Sequence, residues 1–248
     1  MRTPDGDQLP QPAWRSASRA RGRSAPRPGL DRDRIVAAAV AIVDAEGGGS
    51  LSLRRLADDL GVTPMSLYWH VADKAELLEL VGHAILAEIE LPEPRGTWTE
   101  QLRDVHRAMF TVLLQHRNAA DIVAGRARFG PAGLAVFERI LEILLGAGLT
   151  PEAAFDAYMT LYQFFLGFVT TVNRDPAFLE GQRQGWAYML TLPEDRFPAI
   201  RTVTPVIGRR PPDEMLELGL DAVIAGIAAR LAPAAGAGAA EGAGAADG

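Results

Sequence analysis

The stretch from Leu51 to Leu77 constrains the fold more than any other, because its cap and turn residues divide it into short helices. Ser52 is suited to cap the first of them, since its side chain can accept a hydrogen bond from a free backbone N–H. The apolar residues that follow recur at the i, i+3, i+4, i+7 spacing of one buried helix face: Leu53, Leu56, Ala57 and Leu60. The stretch is therefore predicted to begin with a short amphipathic helix.

A second short helix is predicted after a tight turn at Gly61-Val62. Thr63 is its expected cap, and Pro64 occupies the first helical position, where the missing N–H costs nothing. Leu67 and Val71 lie four residues apart and are expected to face inward. Two short helices joined by a glycine-containing turn are the geometry of a helix-turn-helix, whose second helix enters the major groove of DNA.

Longer helices are predicted on both sides of this motif. Asp31 can cap a preceding amphipathic helix, which the three glycines at 47–49 end. Asp73 and Glu76 have the spacing of a capping box for a fourth helix that runs to about Glu90. The motif therefore has the backing helices that a DNA-binding domain of this type needs.

The outward face of the second short helix is predicted to carry large side chains: Pro64, Met65, Tyr68 and Trp69. A surface seldom displays such groups without a partner. Ser66, Tyr68 and His70 can hydrogen-bond phosphate oxygens, whereas Met65 and the proline ring can contact thymine methyl groups. The alternative, which is stronger for Trp69 than for Tyr68, is that these rings pack on the N-terminal arm or the fourth helix.

Charge is distributed unevenly along the chain, whose net charge is −6. Residues 1–34 contain eight arginines and four aspartates, so this end carries +4 and the remainder carries −10. A basic end on an acidic body suits a protein that touches DNA at one end only. Residues 1–29 are predicted to be a disordered basic arm, either in contact with DNA or simply solvated, and residues 232–248 a disordered Ala/Gly tail.

The remaining chain is predicted to be helical, which makes the fold class all-α. Helices are expected near 98–116, 119–125, 131–147, 151–173, 178–190 and 213–231. A weak strand candidate at 200–207 is broken by Pro205. The predicted domains are a helix-turn-helix domain at 30–80 and a helical ligand-binding and dimerisation domain at 81–231.

Several other classes of protein are disfavoured. The chain has no cysteine and no apolar run or signal peptide that would direct it to a membrane, so a cytoplasmic protein is predicted. Its four histidines lack the spacing of a helical metal pair, and no nucleotide-binding or nucleophile motif is present. We therefore expect no enzyme, no metal and no cofactor. A DNA-packaging protein remains an alternative that the acidic body disfavours.

The stretch 51–77 is similar, nearly position for position, to the N-terminal domain of the tetracycline-repressor (TetR) family of bacterial regulators, and the resemblance covers residues 30–80. The run Leu67-Tyr68-Trp69-His70-Val71, followed by Lys74, resembles the tetracycline repressors themselves. A weaker resemblance to their C-terminal domain covers 97–128, 194–200 and 217–226. The resemblance implies a transcriptional regulator, with repression as the family default and activation as the alternative.

The resemblance also implies roles for individual residues. Arg54 would contact DNA from the first short helix, while Pro64, Met65 and Ser66 would stand at base-reading positions. Tyr68, His70 and Lys74, the only lysine of the chain, would hold phosphates. The complete set of predicted DNA-binding residues is Arg54, Thr63, Pro64, Met65, Ser66, Tyr68, Trp69, His70 and Lys74.

A small-molecule site is predicted in the second domain because the segment 151–173 holds six of the seventeen aromatic residues. The candidate ligand-binding residues are His106, Phe110, Phe137, Tyr158, Tyr162, Gln163, Phe165 and Trp186. The segment 175–198 is a candidate lid, with a plain surface loop as the alternative. The magnesium–drug histidines of the tetracycline repressors correspond here to Val123 and Glu90, which argues against a tetracycline–magnesium ligand.

The resemblance further implies a homodimer formed by the segments 151–173 and 213–231. The candidate interface residues are Phe168, Leu220, Val223, Ile224, Ile227 and Leu231. A two-fold dimer would bind a palindromic DNA operator, because each copy supplies one recognition helix.

Overall fold

The structure, a computed structural model, describes residues 30–173 and 176–231. This part of the chain forms eleven α-helices and three short 3-10 helices, and it contains no strand. The all-α prediction is thereby confirmed. The predicted arm and Ala/Gly tail lie outside the described residues.

The helices follow one another in four groups. The first contains α1 Arg32–Glu46, α2 Leu53–Leu60, α3 Pro64–Tyr68 and α4 Lys74–Ala87. Next come α5 Trp98–Gln115, a 3-10 helix Arg117–Ala119, α6 Ala120–Ala124 and a 3-10 helix Arg126–Phe129. The long helices α7 Pro131–Gly146 and α8 Pro151–Val172 follow. The last group is α9 Pro176–Met189, α10 Pro198–Val203, a 3-10 helix Thr204–Val206 and α11 Pro212–Leu231.

Side-chain caps fix the starts of the first helices. Asp31 Oδ1 accepts from the N–H of Arg34 at 2.8 Å, and Ser52 Oγ accepts from the next helix at 3.1 Å. Such caps satisfy backbone donors that have no partner inside the helix. Gly61 ends α2 with φ of 66°, a left-handed conformation that glycine adopts without steric cost.

Two of the predicted caps differ in detail. Thr63 stands at the N-cap of α3, but its side chain makes no capping bond and instead lies 2.9 Å from Oγ of Ser66. Asp73 caps α4 as expected, accepting from Glu76 N–H at 2.8 Å. The Glu76 carboxylate reaches one residue further back than a standard capping box, to the N–H of Ala72 at 2.8 Å.

The segment 200–207 is helical, which corrects the weak strand candidate. Pro198 begins α10, and Pro205 lies inside the following 3-10 helix. Proline is tolerated in the first turn of a helix, so both prolines favour two short helices over one strand. The hydroxyl of Thr204 donates to the carbonyl of Ile200 at 2.6 Å across their junction.

The buried apolar side chains form one continuous cluster from Leu30 to Ile227, which joins the first four helices to the rest. Helix α11 packs against α8 and α5 of the same chain. Ion pairs Arg103–Asp221 at 2.8 Å and Arg107–Glu217 connect α5 to α11 at the surface. None of the described helices is long and apolar enough to span a membrane.

Candidate DNA-binding surface and effector cavity

Helix α3 and its C-cap residue Trp69 present three large side chains to solvent. Met65, Tyr68 and Trp69 are 65%, 52% and 58% exposed, whereas Leu67 between them is completely buried. Leu67 and Val71 anchor the short helix to the core, so the opposite face has to point outward. The structure therefore gives no support to packing of Tyr68 or Trp69 on α4.

The two adjacent arginines of α2 differ in their surroundings. Arg55 is held by Glu46 at 3.0 Å and Asp59 at 3.1 Å, and the charges of Asp59 and Glu46 raise the pKa of its guanidinium. Arg54, the predicted DNA contact, is exposed. A phosphate would not have to displace an internal ion pair of the described residues to reach Arg54.

The other predicted DNA contacts lie around α3. Pro64 is exposed, while Ser66 and His70 are half-buried. Lys74 is exposed, and its Nζ donates to the carbonyl of Gly49 at 3.2 Å. This bond holds the ammonium group at the start of α4, beside the loop that leads into α2.

Helix α4 connects the α3 surface to the interior of the protein. Leu77, Val81 and Ile85 bury one side of it. Gly82 allows close approach of the 3-10 helix Arg126–Phe129, since a Cβ on Gly82 would lie 2.5 Å from the Cβ of Ala127. Leu86, one turn further, lines an internal cavity. A movement of the cavity wall would therefore act directly on α4, the helix that follows α3 in the chain and packs on α1.

The cavity has a volume of about 240 Å³ and lies among α4, α5, α6, α7 and α8. Five of the predicted ligand-binding residues line it: His106, Phe137, Tyr158, Tyr162 and Phe165. The rings of Phe137 and Tyr158 are 4.3 Å apart, and those of Tyr158 and Tyr162 are 6.0 Å apart and nearly parallel. The wall is mostly apolar, as is typical of small-molecule sites.

Three of the predicted ligand-binding residues lie elsewhere, which corrects those assignments. Phe110 is buried against Phe168, with ring centroids 5.6 Å apart. Gln163 is exposed, because its neighbour Tyr162 occupies the cavity side of α8. Trp186 packs near Gly208, where a Cβ would meet its ring at 3.4 Å.

The lid prediction is not supported by the described residues. No residue of 176–198 lines the cavity, and Tyr188 is largely exposed. Asp175, the first residue of the predicted lid segment 175–198, lies outside the described part of the chain. The wall on the side nearest α4 is formed instead by α6 and the 3-10 helix Arg126–Phe129.

The sequence analysis missed several residues of the wall. Arg128 and Phe129 come from a 3-10 helix that has no periodic pattern to mark it. Leu86 comes from α4 and Met109 from α5, whose apolar positions look like ordinary core. Only the packing of the helices around the cavity distinguishes them from other core residues.

The two residues that correspond to the magnesium–drug histidines of the tetracycline repressors lie in different surroundings. Val123 lines the cavity and offers no metal ligand, and Glu90 is exposed. Within 30–173 and 176–231, no group of three acidic, histidine or cysteine side chains is arranged to hold a metal ion.

The predicted dimer residues on α11 form intramolecular contacts. Leu220, Ile224 and Ile227 are buried in the core of the single chain, so they cannot present a face to a partner. Phe168, Val223 and Leu231 are half-buried against the same core. The prediction took the apolar stripe as an interface, although α8 and α5 already cover it.

The opposite side of α11 is also apolar, although it is exposed. Its side chains are uncharged and mostly small: Met215, Leu218, Ala222, Ala225, Gly226 and Ala229. A solvated helix face normally carries charged and polar residues, so this one has the composition of a covered face.

Comparison with known proteins identifies two matching families. Residues 35–81 match the family "Bacterial regulatory proteins, tetR family", and residues 91–231 match "Tetracyclin repressor-like, C-terminal domain". An HTH-type transcriptional regulator of Saccharopolyspora erythraea is 31% identical, covering 84% of this chain and 87% of that protein. The class A tetracycline repressor of Escherichia coli is 29% identical, with coverage of 81% and 92%.

A solved structure has a similar fold. ActR, a TetR family protein of Streptomyces coelicolor crystallised with (S)-DNPA, has a TM-score of 0.72 and 36% identity, covering 84% of this chain and all of that one. Both family matches, the related regulators and this structure agree with one another. The chain belongs to the TetR family of helix-turn-helix transcriptional regulators.

Proposed function

We propose that this protein is a homodimeric repressor that binds a two-fold symmetric operator through α3 and leaves it when a small, largely apolar molecule enters the cavity. The observation that carries the proposal is the position of α4. It begins at Lys74, one of the predicted DNA-binding residues, and Leu86 in its last turn lines the cavity. A protein of this kind acts in the bacterial cytoplasm, where the chromosome lies.

The DNA-binding part of the proposal rests on the exposed face of α3. Met65 and Pro64 offer apolar contacts for base edges, while the hydroxyl of Tyr68 offers a donor for phosphate. Trp69, His70, Thr63 and Ser66 flank them on the same short segment. Arg54 and Lys74 supply positive charge on either side of it.

The dimer part rests on the exposed apolar face of α11. Gly226 on this face has open space around it, as has the exposed Gly167 of α8. Small residues allow two helices to approach closely, so α8 and α11 of one copy suit packing against the same helices of a second. Such an interface is isologous, which gives the two-fold symmetry that a palindromic operator requires.

The proposed release mechanism depends on contacts between the cavity wall and α4. A ligand that fills the cavity presses on Leu86 and on the 3-10 helix Arg126–Phe129, which packs on α4 at Gly82. If the ligand favours a different tilt of α4, the two α3 helices of the dimer change their separation. A hundredfold loss of DNA affinity requires about 2.7 kcal/mol of coupling.

Selection of bound fragments from the source genome tests this proposal. The expected result is enrichment of a palindromic site whose half-sites lie about 34–36 Å apart, which corresponds to successive major grooves. Footprinting of the enriched fragment then checks its two-fold symmetry. An asymmetric footprint, or equal affinity for random DNA, would contradict the proposal.

A further inference from the structure

Arg128 is a cation in a wall that is otherwise almost wholly apolar. Its guanidinium carbon lies 4.4 Å from the centroid of the Phe129 ring and 4.9 Å from that of Tyr162. The side chain is half-buried, and no carboxylate of the described residues forms an ion pair with it. Withdrawing a cation from water is unfavourable unless a negative group compensates it, and the two rings do so only in part.

His106 is another polar residue of the wall, besides Arg128 and the two tyrosines, and the hydrogen bond of its ring determines what it offers to a ligand. Its Nδ1 lies 2.7 Å from the carbonyl oxygen of Leu102. A carbonyl only accepts, so Nδ1 carries the hydrogen. Burial lowers the pKa of the imidazole, although the bond to Leu102 opposes this, and a lowered pKa favours the neutral ring. Its other nitrogen, Nε2, is left as an acceptor for a donor inside the cavity.

The remaining wall limits the shape and size of a ligand. The rings of Phe137, Tyr158 and Tyr162 line the cavity together, and an aromatic wall favours a ligand that is itself aromatic. A volume of about 240 Å³ lies below the range of about 300–1,000 Å³ that is common for drug-sized ligands. A planar molecule of two fused rings suits this space better than a larger one.

We infer that the effector is a small planar aromatic anion that also carries a hydroxyl group, such as a hydroxylated arene carboxylate. The carboxylate accepts hydrogen bonds from Arg128, and the hydroxyl donates to Nε2 of His106. The inference rests on the proposed function in one respect, since it assigns the ligand of the same cavity. It narrows that ligand from "largely apolar" to a molecule with one negative charge and one donor.

The test uses the full-length protein and four naphthalene probes in calorimetric titrations. These are 3-hydroxy-2-naphthoate, 2-naphthoate, methyl 2-naphthoate and 2-naphthylmethylammonium. We expect 3-hydroxy-2-naphthoate to bind most tightly. The methyl ester should bind at least about tenfold more weakly than 2-naphthoate, because it lacks the charge that strengthens a hydrogen bond to arginine.

Substitution of Arg128 tests the assigned contact. Arg128→Gln should remove the preference for 2-naphthoate over its ester, and Arg128→Glu should shift the preference to the ammonium probe. Arg139→Gln is the matched control, since Arg139 is also half-buried but lies outside the cavity wall and pairs with Glu142 at 3.8 Å. This control should retain the preference of the unaltered protein.

His106→Leu tests the second contact. The variant should bind the hydroxylated and the plain naphthoate equally, while it keeps the preference for acid over ester. Circular dichroism and operator binding without ligand show whether each variant has retained its fold. If His106→Leu does not fold, equal binding of 3-hydroxy-2-naphthoate and 2-naphthoate by the unaltered protein overturns the hydroxyl assignment independently.

The inference is overturned if the ester binds as tightly as the acid, if Arg128→Gln keeps the preference, or if no anionic probe binds. Operator release is measured separately by fluorescence anisotropy of labelled DNA. Arg128-dependent binding of the acid without release would contradict the proposed function and leave the ligand class standing. Release by the ester as readily as by the acid would contradict the ligand class alone.

Discussion

Nδ1 of His116 lies 2.9 Å from Oδ1 of Asp44, although the two residues are 72 positions apart in the chain. Asp44 belongs to α1, and His116 directly follows α5. On the other side of the ring, Nε2 lies 3.0 Å from Oε2 of Glu88, the residue after α4. Both ring nitrogens face acceptors, an arrangement that suits a protonated imidazole with two donors. One side chain therefore joins α1 and the end of α4 to the end of α5.

This arrangement predicts a pH dependence of stability. Burial alone would lower the pKa of His116, but the hydrogen bonds and charges of Glu88 and Asp44 outweigh it and raise the pKa. A raised pKa in the folded state stabilises the protein fully below about pH 6.5 and ceases to do so as the pH rises through the folded-state pKa. The free energy of unfolding of the unaltered protein should therefore exceed that of His116→Gln by more at pH 6 than at pH 8.5.

Urea denaturation of both proteins at these two pH values measures the difference. The comparison has to be made against the variant because His106, whose pKa is lowered by burial, destabilises the fold at acid pH in both proteins. A difference that is independent of pH would mean that His116 is not protonated between its two carboxylates.

Substitution of the two neighbouring arginines of α2 should show that Arg54 binds DNA and that Arg55 serves an internal ion pair. We expect Arg54→Gln to weaken operator binding and to reduce the slope of log K against log salt by about 1.8, because the dimer loses one phosphate contact from each copy at about 0.9 per contact. Arg55→Gln, which removes the pairs with Glu46 and Asp59, should leave that slope unchanged. Equal slopes for the two variants would show that Arg54 does not touch phosphate.

Tyr68 and Met65, on the exposed face of α3, should differ in what they determine. Tyr68 should set the affinity for any operator, whereas Met65 should set the preference between operator sequences. Tyr68→Phe removes one hydroxyl from each copy and should weaken binding to all operator variants alike, by about 1.5–3 kcal/mol for each bond to a charged group. Met65→Ala should instead alter the ranking of operator variants with changed thymines. Tyr188→Phe, at an exposed tyrosine on α9, is the control and should leave DNA binding unaltered.

The sequence predicted the helix-turn-helix well because its signals are local. Asp31, Ser52 and Asp73 bond to backbone groups three residues ahead, so their spacing along the chain already defines each cap. The buried face of α2 repeats with the period of one helix, and that period is visible without any tertiary information. Thr63 was the exception, because Ser66 competes for its hydroxyl.

The cavity and the interface were predicted less well because both depend on how helices pack. The sequence of α11 shows the same apolar stripe whether α8 or a second copy of the chain covers that stripe. For that reason the assignment of Ile224 to the dimer interface failed, since Ile224 is buried within one chain. Arg128 belongs to a short 3-10 helix between two glycines, and so short a segment shows no helical periodicity of apolar residues in the sequence. Of the aromatic residues of α8, Tyr158, Tyr162 and Phe165 line the cavity, whereas Phe168 packs against Phe110 and Phe164.

Two glycine substitutions should have opposite effects on stability. A Cβ on Gly133 would collide with the backbone carbonyl of Arg128, so Gly133→Ala should destabilise the protein by about 1–3 kcal/mol, the usual cost of overpacking. Gly181, inside α9, has open space around it, and Gly181→Ala should stabilise by up to about 1 kcal/mol through helix propensity. Thermal unfolding of both variants measures this, and stabilisation by Gly133→Ala would show that the backbone at Arg128 yields easily.

The face of α11 that meets a second copy should be identified by two glutamate substitutions with different consequences. Gly226→Glu places a charge on the exposed apolar face and should produce a folded monomer. Ile224, by contrast, is only 2% exposed within one chain, so Ile224→Glu should prevent folding rather than dissociate a dimer. Gly146→Glu, at an exposed position that ends α7, is the control and should remain dimeric.

Sedimentation equilibrium at micromolar concentration gives the mass of each species, and circular dichroism gives its helix content. The Gly226→Glu monomer should also lose operator affinity, because only one α3 then binds the site. A folded dimer of Gly226→Glu would exclude this face of α11 from the interface. A folded monomer of Ile224→Glu would instead restore the buried stripe as the surface between the two copies.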